Sequence, residues 1–310
     1  MNAMRMNYSA KSLKRFPSLD TKRDNNNLSL HMLLEDLHLA VLPIGGNSQY
    51  HPNFSIDIIG NIDNIPYIKK LLRSLCNYDH YDLKSTICDA VENIAGSLVY
   101  NGKCHFEIAI DDDDPNQKYL VSFTSKRLFR AFRYYVQIVP RADWQLHGKR
   151  INFIRNNNIW LLNFPKTLKG TNGYKKTLLK IKKIDRLGPK FWVNNIQLHF
   201  NSSVFDFLLY AKKTEIHIHK LTSYLGWDMR STDQKTKFYQ IYKKIMIESA
   251  KSIIREHIID NLNILLSDLG YDCKIVVVGI PSSEEIVSMK EKFISGTMDF
   301  KEVLESISLL

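Results

Sequence analysis

The sequence predicts an α+β fold, in which an antiparallel sheet with flanking helices, wing-like in outline, is joined to a long stem-like helix. Two observations lead to this prediction. A helical pattern over residues 83–100 precedes five short alternating segments that are typical of antiparallel strands. Residues 231–269 repeat apolar side chains at steps of three and four, which a helix gathers onto one side.

The chain begins with a basic segment, residues 1–30, whose few apolar residues predict a flexible, solvated tail. A wing-like α+β domain is predicted over residues 31–165. It opens with a short helical or mixed apolar stretch at 31–42. A helix follows at 64–75 with Pro66 in its first turn, and then the helix at 83–100, closed by Asn101 and Gly102. The strands follow at 104–110, 119–123, 134–139, 151–155 and 159–163.

Beyond Pro165 the composition changes to lysine with glycine, at Gly170, Gly173 and Gly188. We interpret this stretch as a mobile or interface-forming insertion, followed by a strand at 191–200 and a helix at 203–225 that ends at Gly226. Together they make up a predicted segment of residues 166–230. We describe this segment as stem-like or clip-like, because it leads from the wing-like domain to the long helix.

The last segment, residues 231–310, contains the long helix, then a strand at 273–278 and helices from Ser282 and from Met298. Ser231 is the predicted N-cap, and Gly270 suits the left-handed position that ends a helix. At about 1.5 Å per residue the helix approaches 60 Å, longer than a compact domain needs. We therefore expect its apolar stripe to be buried partly at subunit contacts, through Ile253, Ile254, Ile258 and Leu262.

The net charge of +11 is concentrated between Lys126 and Lys190, where only Asp143 and Asp185 are acidic. Cations provide affinity for phosphate, and exposed aromatic residues stack on bases. The predicted nucleic-acid-binding residues are Lys126, Arg127, Arg130, Arg133, Arg150, Lys175, Lys176, Lys180, Lys182 and Lys183. Aromatic residues interleave with this basic belt, at Phe129, Phe132, Tyr134, Tyr135, Trp144 and Trp160. They either contact a polyanion or alternate into the sheet core.

Motifs that carry chemistry are scarce, so we expect no catalytic residue, no metal and no cofactor. Consecutive acids at 111–114 are typical of a solvated turn. His217 and His219 diverge on a helix, which disfavours a metal site. The four cysteines are far apart and form no CxxC pair, which predicts reduced thiols. No apolar run reaches the roughly 18 residues that cross a bilayer, and we expect a cytosolic protein without a membrane partner.

Several short motifs occur in the order found in one family. They are Ile94-Ala95-Gly96, the segment 101–108 with Phe106-Glu107-Ile108, Ile138-Val139-Pro140-Arg141, Leu269-Gly270-Tyr271 before the strand at 274–278, Phe293-Ile294-Ser295-Gly296 and Phe300-Lys301-Glu302-Val303-Leu304. In this order and spacing, over roughly residues 60–310, the chain resembles the portal proteins of tailed bacteriophages, the head-tail connectors.

The resemblance implies a structural subunit in a homo-oligomeric ring of about twelve copies around a double-stranded DNA channel. It further implies contacts with packaging motor, capsid and neck proteins, and a location in the virion or the bacterial host cytoplasm. Two other functions stay open. One is a nucleic-acid-binding protein of a mobile element or defence system that acts through the basic belt. The other is an enzyme with an unmarked site, built from residues such as His105, Glu107 and His147.

Overall fold

A computed structural model describes residues 27–43, 54–111, 113–123, 128–139, 141, 150–186, 207–228 and 236–308. The N-terminal residues 1–26, the predicted strand at 191–200 and Ser231 lie outside these ranges. The described residues fall into two compact units, which we treat separately. The first unit takes residues within 40–164 and 254–280, and the second takes 27–39, 165–253 and 281–308. Both units are therefore discontinuous along the chain.

The described residues confirm the α+β class. In chain order the helices are α1 (Leu28–His38), α2 (Ile65–Arg73), α3 (Leu83–Asn101), α4 (Gly170–Arg186), α5 (Phe207–Thr222), α6 (Lys237–Asp268), α7 (Ser283–Ile294) and α8 (Phe300–Ser308). The strands are β1 (Ser55–Gly60), β2 (Lys103–Ile110), β3 (Lys118–Phe123), β4 (Leu128–Ala131), β5 (Tyr134–Ile138), β6 (Ile151–Arg155), β7 (Ile159–Asn163) and β8 (Cys273–Val278).

The eight described strands form three separate antiparallel sheets in the first unit, whereas the sequence predicts one. Their orders are β1-β8, β3-β2-β7 and β4-β5-β6. The five predicted strands are confirmed with small shifts at their ends, and β1 and β4 are additional. Strand β1 pairs Ser55 with Val278, far along the chain, so local sequence signals did not reveal the pairing.

Helix α3 ends at the glycine that its sequence predicts, and it begins at a cap that the sequence analysis did not name. The Asp82 carboxylate accepts a hydrogen bond from the Ser85 N–H at 2.6 Å, and this bond lowers the pKa of Asp82. Gly102 ends the helix at φ 68°, in the left-handed region that glycine adopts without steric cost. The face of α3 that includes Ile87, Ile94 and Leu98 is fully buried.

Helix α6 confirms the predicted long helix. Its 32 residues span about 48 Å, and its two halves belong to different units. The helix ends in a Schellman motif: Tyr271 N–H donates to the Leu266 carbonyl and Gly270 N–H to the Ser267 carbonyl, both at 2.9 Å. Asn263 then joins the helix to β8, because its amide donates to the Ile275 carbonyl and accepts from the Ile275 N–H.

The apolar stripe of α6 does not match the predicted subunit contact. Ile254, Ile258 and Leu262 are fully buried within the single chain, and Ile253 is half-buried. A second copy therefore cannot contact the first three side chains while this conformation is kept. Their burial is explained by the fold of one chain, so it does not support a role in assembly.

The lysine-rich segment after Pro165 was interpreted as a mobile or interface-forming insertion. The mobile alternative does not fit residues 170–186, which form the regular helix α4. Tyr174, Thr177, Ile181 and Ile184 follow at steps of three and four and are buried on one face. This apolar spacing, which the glycine and lysine content obscures, is sufficient to dock a helix. It corrects the prediction for residues 170–186.

The other described elements of the second unit are also helices. A cluster of buried residues on α6, α7 and α8 forms part of its core: Ile241, Ile245, Ile286, Met289, Phe293 and Val303. Ser282 opens α7 with a capping box, in which its side chain and that of Glu285 each accept from the other's backbone N–H. The capping box fixes the start of α7, and the cluster fixes the face that α7 buries.

Candidate assembly and nucleic-acid surfaces

The sheet β4-β5-β6 has an unusual distribution of polarity between its two faces. Side chains alternate across a strand, so Gln137 of β5 and Asn152 of β6, which lie opposite each other, share a face. Both are buried, and the Asn152 amide donates to the Gln137 side-chain oxygen at 3.2 Å. Tyr135 lies on this face and packs edge-on against His105 of β2, with ring centroids 5.7 Å apart. The polar side chains are thus on the inside.

The opposite face of this sheet is open to solvent and is rich in apolar residues, beside the exposed Arg155, although the inner face buries an apolar residue too, Ile154. We call it the apolar sheet face, and it consists of Phe129, Tyr134, Val136, Ile138, Ile151 and Phe153. Phe129 and Phe153 flank Val136 in the register of the three strands, and both phenylalanines remain more than half exposed. Contiguous exposed apolar patches of this kind mark interaction sites in soluble proteins.

The tip of the β4-β5 hairpin extends the apolar sheet face. Phe132 is 98% exposed, and its backbone is left-handed at φ 51°. This conformation is energetically unfavourable for any residue that has a Cβ atom. The tip is fixed by Asn156, whose Nδ2 donates to the Phe132 carbonyl at 3.0 Å and whose N–H donates to the Arg133 carbonyl at 2.9 Å. These bonds fix the backbone that carries the exposed ring.

The predicted nucleic-acid-binding residues divide between the two units. Arg130, Arg133 and Arg150 are exposed on and beside the β4-β5-β6 sheet. Lys126 and Arg127 lie outside the described residues. The five predicted lysines, Lys175, Lys176, Lys180, Lys182 and Lys183, all belong to α4 in the second unit.

Helix α4 presents its lysines as an ordered stripe. Lys176, Lys180 and Lys183 are exposed and occur at i, i+4 and i+7, so they share one face over about 10 Å. Lys175 and Lys182 are half-buried at the sides of this stripe. The carboxylate of Asp185 accepts from the Leu30 N–H at 3.0 Å. We call Lys176, Lys180 and Lys183 the cationic face of α4; its regular spacing suits contacts with successive phosphates.

The aromatic residues of the basic belt divide between the sheet core and the surface. Trp160 is buried against Phe106 in the β3-β2-β7 sheet, with centroids 5.1 Å apart, and so belongs to the core. Phe129, Phe132 and Tyr134 are exposed. Trp144 lies outside the described residues.

The residues considered for an enzyme site are arranged differently from an open catalytic cleft. His105 and Glu107 do share a face of β2, but they are only 1% and 3% exposed. His147 lies outside the described residues. A substrate would reach the His105–Glu107 pair only after a change in this structure.

The other residues with possible chemistry have local partners. His217 and His219 are on a helix as predicted, and His219 Nδ1 lies 3.2 Å from the Lys243 ammonium. Among the described residues there is no group of three or more His, Cys, Asp and Glu that could hold a metal ion. All four cysteines are free, as predicted. Burial raises the pKa of Cys76 to about 12 and that of Cys88 to about 11, which keeps both thiols protonated and weakly reactive.

The chain matches neither a model of a known protein family nor a curated protein. The resemblance to portal proteins therefore stays a hypothesis that rests on the motifs quoted above. Within the described ranges, no helix is both long and apolar enough to span a membrane. The functional argument starts from two surfaces, the apolar sheet face and the cationic face of α4.

Proposed function

We propose that this protein is a structural ring subunit, similar to a portal protein, that surrounds double-stranded DNA at a capsid vertex of a phage or prophage. The observation that supports this proposal most strongly is the apolar sheet face. Phe129 and Phe153 are each more than half exposed, and solvent contact with such a surface is unfavourable. A neighbouring copy that covers the face removes this cost in every subunit.

Two further features support the proposal. The order of elements, from α3 and its sheets through α4 and α5 to the long helix α6, β8 and the final helices, is the order on which the resemblance to portal proteins rests. The cationic face of α4 provides Lys176, Lys180 and Lys183 for contacts with the phosphate backbone of DNA. Such contacts carry little sequence information, which suits a channel that DNA of any sequence must pass.

The proposal predicts a discrete particle. Twelve copies of a 36.1 kDa chain would give a mass of about 430 kDa. Mass photometry across a wide concentration range, with and without DNA, measures this directly. A population of only monomers or dimers at every concentration would exclude a ring subunit.

A second function is favoured by the cationic face of α4 alone. A nucleic-acid-binding protein of a mobile element or defence system would use the same lysines without forming a ring. Such a protein would stay small in mass photometry and release DNA steeply as salt is raised. A ring that encloses DNA would instead keep its mass at moderate salt in the absence of DNA.

A further inference from the structure

A groove between the start of α6 and the helix α8 combines positive charge with an apolar floor. It has a volume of about 450 Å³ and is lined by Lys237, Lys244, Phe300, Lys301, Leu304 and Glu305, all in the second unit. Phe300 and Leu304 are four residues apart on α8, and Lys237 and Lys244 are seven apart on α6, so each pair shares a face of its helix. We call this concavity the α6–α8 groove.

The floor of the groove is apolar, exposed and already packed from below. Phe300 and Leu304 are 40% and 36% exposed, whereas the neighbouring Val303 is fully buried in the core of the unit. The Phe300 ring packs edge-on against Phe293, with centroids 5.7 Å apart, and Phe293 stacks on Phe238 at 4.7 Å. These ring contacts hold the floor in place before a partner binds, so little conformational entropy is lost on binding.

The charge around this floor is not balanced within the chain. Three lysines and one glutamate line the groove, which leaves two positive charges in excess. Glu305 lies 3.7 Å from the Lys301 ammonium, so these two side chains offset each other. Within the described part of the chain, Lys237 and Lys244 make no ion pair. The uncompensated charge is therefore that of Lys237 and Lys244.

The other carboxylates at the start of α8 do not line the groove, because they cap the helix. The Asp299 carboxylate accepts from the N–H groups of Lys301 and Glu302, both at 2.8 Å. The Glu302 carboxylate accepts in turn from the Asp299 N–H at 2.9 Å. This reciprocal pair is a capping box, and it fixes the start of the helix that carries Phe300 and Leu304.

The combination of charge and floor restricts the ligand that the groove suits. A phosphate backbone would use the lysines but gain nothing from Leu304, and the Lys237 ammonium already lies over the Phe300 ring, 5.7 Å from its centroid, where a base would stack. A wholly apolar partner would remove Lys237 and Lys244 from water without an acceptor, which is unfavourable. A segment that carries carboxylates beside an apolar side chain satisfies both parts of the groove.

We propose that the α6–α8 groove binds an acidic segment of a partner protein. An aromatic or leucine side chain of that segment contacts Phe300 and Leu304, and flanking carboxylates pair with Lys237 and Lys244. The volume of the groove lies within the roughly 300 to 1,000 Å³ that is typical of ligand pockets. This proposal goes beyond the ring function and does not depend on it.

The test uses three unlabelled peptides and isothermal titration calorimetry with the full chain. The test peptide is Asp-Glu-Phe-Glu-Asp-Leu. In the second peptide serine replaces the phenylalanine and the leucine, and in the third asparagine and glutamine replace the acids. Only the test peptide offers both carboxylates and an apolar side chain, so it should bind at least about tenfold more tightly than either of the others.

Variants of the groove connect this affinity to its residues. Lys244→Glu should weaken the test peptide at least about tenfold, and Lys244→Gln, which removes the charge without adding repulsion, should weaken it less. Leu304→Gln should abolish the preference for the test peptide over the serine peptide. The matched control is Lys212→Glu, at an exposed lysine of α5 that does not line the groove; it should bind as the wild type does. Circular dichroism confirms that each variant is folded.

Each other outcome overturns the proposal in a distinct way. Equal binding of the test and serine peptides, or equal weakening by Lys212→Glu and Lys244→Glu, would mean that only overall charge is measured. Absence of binding of the test peptide below about 1 mM would refute the site. If Lys244→Glu weakens a single-stranded oligonucleotide but not the test peptide, the groove binds nucleic acid instead. If Lys244→Glu dissociates an assembly that the wild type forms in mass photometry, a second copy occupies it.

The proposal and the ring function can fail separately. A wild-type chain that binds the test peptide with the expected preference, yet stays monomeric in mass photometry, would support the groove and refute the ring. A chain that assembles into a ring but does not distinguish the three peptides would refute the groove alone.

Discussion

Replacement of Phe153 by threonine tests whether the apolar sheet face is an interface. A phenylalanine buries roughly 200 Å² when it is fully covered, and Phe153 is 54% exposed. About 100 Å² therefore remain for a partner to cover, which at about 25 cal/mol per Å² corresponds to roughly 2.5 kcal/mol per contact. Threonine retains a small part of this area, so association should become less favourable by about 2 kcal/mol. This corresponds to a roughly 30-fold increase in the dissociation constant.

The stability of the single chain should change less. Threonine has the β-branched shape that strands favour, and the lost packing beneath Phe153 should cost about 1 kcal/mol. Mass photometry over a dilution series measures the association, and urea unfolding measures the stability. Tyr81→Ala, at a fully exposed position outside the β4-β5-β6 sheet, is the matched control. Unchanged assembly in Phe153→Thr, with wild-type assembly present, would refute the assignment of this face.

Three further substitutions follow from the described contacts. Gly226→Ala should lose at least about 2 kcal/mol more stability in urea unfolding than Gly296→Ala. Both glycines have a left-handed backbone, but a Cβ at Gly226 would lie 2.4 Å from Met246, whereas a Cβ at Gly296 would meet no atom within 4 Å. Equal losses in the two variants would contradict this packing. Lys180→Gln should reduce the slope of the logarithm of the DNA-binding constant against the logarithm of the salt concentration by about 0.9, whereas Lys301→Gln should leave it unchanged. An unchanged slope in Lys180→Gln would exclude a phosphate contact at this lysine. Asn263→Ala should destabilise the chain by about 1 to 3 kcal/mol, because the Ile275 N–H and carbonyl both lose their side-chain partner; a loss below about 0.5 kcal/mol would refute this role.

Elements with local signals were the ones that the sequence predicted well. The Asp82 cap and Gly102 define α3, Gly270 ends α6, and Ser282 with Glu285 opens α7. Each of these signals acts within a few residues of the chain, so it can be read without knowledge of the tertiary fold. Strand β1 lacks such a signal because its partner β8 is distant in sequence.

The apolar stripe of α6 shows a second limit of prediction from sequence. Periodicity identified Ile254, Ile258 and Leu262 as buried, and they are. Periodicity reports that a side chain is covered, but it does not distinguish coverage by the same chain from coverage by another copy. The assignment of these residues to a subunit contact needed information that a pattern does not hold.

The apolar sheet face was missed for a related reason. Alternation in β5 separates Tyr134, Val136 and Ile138 from Tyr135 and Gln137, but it does not say which set faces the core. Hydrophobicity favours the first set, and the structure buries Gln137 instead, paired with Asn152. A buried polar pair beneath an exposed apolar face is a contradiction of local and global preference, and such contradictions are expected at functional surfaces.

Electron microscopy of the purified wild-type particle tests the central claim most directly, because it reports symmetry and a channel without an activity assay. The ring proposal predicts class averages with rotational symmetry of about twelve subunits and a central opening. Particles the size of one or two chains, or open chains of subunits without closure, would contradict it.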